Sequence, residues 1–181
     1  MPQTEPRQLI AASRLIDWLM KTVLDLSPGA ARLRLTRIRD GAEWPSYDVI
    51  NSVAARGRWI GAMLQNQPLS DWRDFLPALL AGQCALHRIV EVRSAAPAFG
   101  FPSARPSKAL VCPVAGSDGR LLGAIFIVWD GDIRPPGRVA LRHLMAAGER
   151  LATQIAAVLD LCGELSRPPS PKAEDRILLL A

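Results

Sequence analysis

Apolar positions along this chain follow two periods, and the switches between them mark its elements. From Gln8 to Leu26, the residues Leu9, Ala12, Ile16, Leu19, Val23 and Leu26 recur at steps of three and four, the spacing of one helix face, and Ser27-Pro28-Gly29 ends it. Ala31 to Arg39 then alternates, as a strand does, up to a turn at Asp40-Gly41, and Tyr47 to Val53 supplies a partner strand after Trp44-Pro45. Ala54 to Gln67 reads as irregular or a short helix, since Trp59, Ile60, Met63 and Leu64 have helical spacing but Gly57 and Gly61 weaken it and Pro68 closes it. Ser70 is a credible N-cap, with Asp71 and Asp74 in the first turn and Trp72, Phe75, Leu76, Leu79 and Leu80 on one broad face; Pro77 starts or kinks that helix.

The second half is more regular. Cys84 to Val92 reads as a strand, and Ser94 to Ser107 as a long loop rich in proline and alanine. Ala109 to Ala115 and Leu121 to Trp129 form a hairpin about Asp118-Gly119, with both faces apolar, which predicts a sheet covered on both sides. A proline-rich loop from Asp130 to Gly137 precedes a long helix from about Val139 to Leu165. On it Leu141, Leu144, Gly148, Leu151, Ile155, Val158 and Cys162 keep an unbroken 3-4 spacing, with Val139, Met145, Ala152, Ala156 and Leu159 beside them. That excess of apolar surface predicts a homodimer through the two terminal helices. Residues 1–7 read as an N-terminal extension, 8–165 as one domain, and 166–181, opening on Arg167-Pro168-Pro169, as a proline-rich tail.

Composition adds limits. At 181 residues, 49% hydrophobic and 22% charged, the chain fits one globular domain. No apolar run reaches the ~18 residues of a membrane span and no secretory leader stands at the start, so a cytoplasmic protein with no membrane partner is expected. The net charge of +5 is spread thinly. Its one concentration, Arg32, Arg34, Arg37 and Arg39, alternates with Leu33 and Leu35 and reads as a solvated strand face, with no nucleic-acid motif beside it. The three cysteines, spaced by 28 and 50, fit neither a disulfide framework nor a zinc site and read as reduced core thiols. His87 and His143 belong to no ligand-spaced cluster, so no metal is expected. No nucleophile elbow, phosphate-cradling loop or paired-carboxylate signature is present, and no catalytic residue is assigned.

The run Leu110-Val111-Cys112-Pro113-Val114, then Asp118-Gly119-Arg120-Leu121-Leu122-Gly123-Ala124, then Leu144 and Leu151-Ala152-Thr153-Gln154-Ile155-Ala156, resembles the C-terminal half of a GAF domain, in the superfamily of GAF- and PAS-like sensory modules. The resemblance implies an α+β fold in α/β/α layers: a central antiparallel sheet, the N- and C-terminal helices on one face, short helices and loops roofing a pocket on the other. It implies a non-enzymatic sensory or regulatory module, with a possible small-molecule ligand and a signalling partner, and leaves any cofactor unknown. The cyclic-nucleotide signature of some members is missing. The segment Arg93 to Lys108, where bilin-binding members carry their attachment cysteine, has none. Free methionine-(R)-sulfoxide reductases, the enzymes of the family, give an alternative, though Gly82-Gln83-Cys84-Ala85-Leu86-His87 does not reproduce their glycine-rich loop; a ligand-free structural or protein-interaction domain is another. If the strands of Cys84 and Cys112 are neighbours, as that sheet order implies, the two thiols come close.

Trp59, Met63, Trp72 and Phe75 fall in the segment that would roof the pocket. With Asn51, Arg58 and Asn66 they form the expected ligand-binding set, the rings supplying area for a planar or weakly polar molecule and the polar groups its orientation. The simpler reading, which the residues alone favour, is that these aromatics fill the core between helix and sheet.

Overall fold

The computed structural model describes residues 4–39, 45–58, 63–91, 105–131 and 133–165. The expected turn at Asp40-Gly41, Trp59, most of the expected Ser94 to Ser107 loop and the tail from 166 lie outside them, as do the side chains of Leu9 and Cys162. Among the described residues the order is α1 (Thr4–Asp25), β1 (Arg32–Arg39), β2 (Ser46–Ala54), β3 (Gln67–Pro68), a 3-10 turn (Leu69–Trp72), α2 (Leu76–Leu80), β4 (Ala85–Glu91), β5 (Arg105–Ala115), β6 (Leu121–Trp129) and α3 (Arg138–Leu165). The strands form one six-stranded sheet in the order β3-β2-β1-β6-β5-β4. Every pairing along it is antiparallel.

Alternation along the strands sorts side chains between two cores. Leu33, Leu35, Leu110, Cys112, Ile125, Ile127 and Trp129 meet Ile16, Met20 and Leu24 of α1 and Leu144, Leu151 and Ile155 of α3. Ala109, Val111, Phe126 and Val128 meet Trp72, Phe75 and Leu79 on the opposite face. At the start of β6 the ladder pairs Ala115 with Leu121 and Val114 with Gly123, so Leu122 is an extra residue. Consequently Leu121 packs with the second core and Leu122 with the first. Gly123 is a fixed requirement, because a β-carbon there would stand 2.0 Å from the Thr36 carbonyl oxygen.

Several expectations change. β5 begins at Arg105, inside the expected loop, because β4 pairs with it back to Glu91 opposite Arg105. Its prolines are tolerated because each has a ladder partner on one side only: Pro106 pairs with Val90 beyond the reach of β6, and Pro113 with Ala124 beyond the end of β4. The single helix expected from Ser70 is a 3-10 turn followed by α2, with Pro77 in the first turn of α2, where its missing N–H costs no hydrogen bond. Leu144, Leu151 and Ile155 of the α3 stripe are buried against its own sheet with Ala152 and Ala156, and Leu141, Met145, Val158 and Leu159 pack partly buried on the same core. Much of the apolar surface expected to form a seam between subunits is therefore used within the chain, while Val139 is exposed. Arg32 and Arg34, expected to be solvated, are 1% and 8% exposed. Alternation fixes which face a residue is on, not what covers that face.

Candidate functional site

The sheet face opposite α1 and α3 carries the candidate site. After the edge strand β3, the 3-10 turn delivers Trp72 and the chain then delivers Phe75 just before α2. Both rings descend onto β6 and β2: Trp72 lies 4.8 Å from Tyr47, 5.9 Å from Phe75 and 5.7 Å from Phe126, centroid to centroid. Phe75 meets Phe126 edge-on at 5.8 Å and His87 of β4 at 5.3 Å. Tilted and edge-on pairs at these distances are the favourable arrangements for aromatic quadrupoles.

Polar groups border this wall. Arg34 is paired in register with Phe126 and Arg32 with Val128, which puts both guanidinium groups on the aromatic side of the sheet. Arg32 Nη1 donates to Asp130 Oδ1 at 2.6 Å. Burial first, and the neighbouring charge of Arg32 second, push Arg34 down to about 10. The Tyr47 phenol is pushed up, chiefly by burial and then by the Asp71 carboxylate, against the opposing influence of Trp72 and Arg34. Thr36 completes the border, its hydroxyl donating to the Ala124 carbonyl at 3.0 Å and accepting from the Ala124 amide at 3.1 Å.

The expected ligand-binding residues do not all converge here. Trp72 and Phe75 do. Asn51 lies on the other face, where its Nδ2 donates to Asp17 Oδ1 of α1 at 2.6 Å. The bulge between Leu35 and Thr36 sets Asn51 opposite Leu35, a residue of the helix-side core. Asn66, in the left-handed region at φ 53°, is held at the β2 edge, its amide N–H donating to Asp48 Oδ1 and its Oδ1 accepting from Arg39 Nη1. Arg58 and Met63 are exposed, Met63 by 53%, and Trp59 is outside the described residues. Tyr47, Phe126, Arg32 and Arg34 are the members that sequence reasoning missed. Their signal was available in the alternation of β1, β2 and β6, once a cover over that face was assumed.

The other candidate chemistry lies elsewhere. Cys84 and Cys112 are buried free thiols in the helix-side core, across the sheet from the aromatic wall. His87 packs on Phe75. Among the described residues no three histidine, cysteine, aspartate or glutamate side chains gather as a metal site would require, and no helix is long and apolar enough to cross a membrane.

No family model matches this sequence, and no curated protein matches it. Solved structures do. The cyanobacteriochrome receptor PixJ aligns with a TM-score of 0.55 at 16% identity over 84% of this chain and 97% of its own. The blue-light absorbing form of the Thermosynechococcus elongatus PixJ GAF domain aligns at 0.57 and 12% identity, over 88% and 93%. A GAF domain/HD domain protein from Geobacter sulfurreducens gives 0.57 and 12%, over 86% and 97%. At these identities the likeness is one of fold. The sheet order, the helices on one face and these neighbours agree: the chain has the α+β fold of a GAF domain.

Proposed function

We propose that this chain is a non-enzymatic sensory or regulatory GAF module, which receives a planar or weakly polar small molecule on the sheet face opposite its terminal helices and passes the signal to a protein partner. The carrying observation is the cluster of Trp72, Phe75, Tyr47 and Phe126 beneath a cover of one 3-10 turn and a five-residue helix. So short a cover is held mainly by its side-chain contacts, and a ligand on this face would take the place of some of them. Trp72 and Phe75 are the ligand-facing residues in this reading. Native mass spectrometry with an absorbance spectrum tests it. A retained molecule, lost on Trp72→Leu, supports the reading; a wild-type protein that retains nothing, with tryptophan emission unmoved by candidate metabolites, overturns it.

A second reading, a ligand-free interaction domain, is favoured by one observation: Trp72 is 1% exposed and already in contact with three rings. In either case we assign a homodimer to the outward side of α1, where Ile10, Leu15 and Trp18 are exposed, Trp18 by 63%. Leu15 and Trp18 stand three residues apart on one helix face, as an interhelical contact requires.

A further inference from the structure

The ladder between β4 and β5 pairs Ala85 with Val111 and Leu86 with Leu110. One further antiparallel step sets Cys84 against Cys112. Both belong to the helix-side core, so both side chains leave the sheet on the same face. The Cys112 sulfur lies directly under α3, where a β-carbon at Gly148 would come within 2.6 Å of it. The Cys112 thiol is pushed up first by its neighbour Cys84 and then by burial, as the close approach of the two side chains requires. Directly opposed residues of an antiparallel pair have Cα atoms about 4.5 or 5.5 Å apart, and both values fall in the window of about 4.4–6.8 Å that a disulfide spans. We propose that Cys84 and Cys112 form a reversible intramolecular disulfide that staples the edge strand β4 to β5.

The chemistry requires a two-electron oxidant, and a small-molecule disulfide such as oxidised glutathione supplies it. Cys84 is the entry thiol, because it lies at the mouth of an edge strand and is the less buried of the two. Its thiolate attacks one sulfur of the oxidant and expels one small thiolate, leaving a mixed disulfide on Cys84. The Cys112 thiolate then attacks Cys84 Sγ and expels the second small thiolate. The two protons lost by the protein end on the two small thiols; the protein pair is oxidised and the oxidant reduced. Cys112 does not start the sequence, since it is fully buried beneath Gly148 of α3, where the oxidant does not reach it, and that burial together with Cys84 pushes its thiol up. The same opening of the edge strand that admits the oxidant to Cys84 wets Cys112, which then resolves the mixed disulfide. Access to Cys84 depends on opening of the edge strand, so the reaction is slow beside that of an exposed thiol.

The experiment uses the full chain carrying Cys162→Ala, so that two thiols remain. Incubation with oxidised glutathione, followed by non-reducing peptide mapping, is expected to link the peptides of Cys84 and Cys112 with a loss of two hydrogens. The thermal midpoint should rise by roughly 5–15 °C and return on reduction. In a Cys112→Ala background that retains the wild-type circular dichroism, the reaction should stop at a glutathione adduct on Cys84. A stable adduct on Cys84 with Cys112 still present, a disulfide between two chains, or no reaction over days would each overturn the proposal. The outcome is independent of whether the aromatic face binds a ligand.

Discussion

Gly148 of α3 rides directly over the Cys112 sulfur of β5, so close that a β-carbon would intrude to 2.6 Å. A glycine inside a helix ordinarily costs about 1 kcal/mol relative to alanine. Here the contact reverses that preference, since overfilling a packed core costs about 1–3 kcal/mol. Gly148→Ala is expected to lower stability by about 1 kcal/mol in urea unfolding. Adding Cys112→Ala should recover most of the loss, and a purely additive double-mutant cycle would refute the contact.

Gly123 is a harsher case. Its missing β-carbon would meet the Thr36 carbonyl oxygen at 2.0 Å, and the neighbour is backbone that cannot rotate away. Gly123→Ala should separate β6 from β1 and cost more than about 3 kcal/mol, seen as loss of cooperative unfolding or of soluble protein.

Trp72 is buried with three ring contacts. Trp72→Ala is expected to cost about 3–5 kcal/mol and Trp72→Phe distinctly less, measured by chemical denaturation. If Trp72→Ala leaves the unfolding free energy within about 0.5 kcal/mol of wild type, the cover over this face contributes little to the fold.

Tyr47 is the sole tyrosine, so its ionisation can be followed alone by ultraviolet absorbance. Burial and then Asp71 raise its folded value above that of the unfolded chain. The folded state therefore binds the proton more tightly. The stabilisation this gives is complete below the unfolded phenol value of about 10 and is lost as pH rises through the folded one. The titration midpoint should lie above about 10 in the folded protein and fall towards it in Asp71→Asn.

Trp18 is 63% exposed on α1, far more than its apolar area favours. Sedimentation equilibrium should show self-association at tens of micromolar, roughly where weak interfaces register. Trp18→Glu should be monomeric there, with unfolding free energy unchanged within about 0.5 kcal/mol. A wild-type monomer would remove the dimer from the proposal.

The β5–β6 hairpin and the terminal helices were legible because local signals coincide there: Asp118-Gly119 between two apolar runs, and an unbroken 3-4 stripe on α3. Periodicity names a buried face without naming what buries it. Hence the α3 stripe also read as an intersubunit seam, although Leu144, Leu151 and Ile155 meet their own sheet. Arg32 and Arg34 read as solvated for the same reason. Asn51 was misplaced because a one-residue bulge beside Thr36 changes the face of everything after it, and no composition marks that bulge. Trp72 and Phe75 were legible as large apolar residues after a turn, but their partners Tyr47 and Phe126 come from strands far apart in sequence.

The middle of the sheet joins the two ends of the sequence, since Thr36 bonds to Ala124 across 88 intervening steps of chain. The β1–β2 and β5–β6 hairpins are local and can form early, but the β1–β6 seam must wait for a long loop to close. During synthesis at about 5–20 residues per second, β1 stands with an unpaired edge for roughly 4–18 s before β6 leaves the ribosome. Over that interval Leu33 and Leu35 lack their partner strand and the helix α3 that covers them. The nascent chain, rather than the finished domain, is where this topology is exposed to aggregation and where a chaperone would find its binding site.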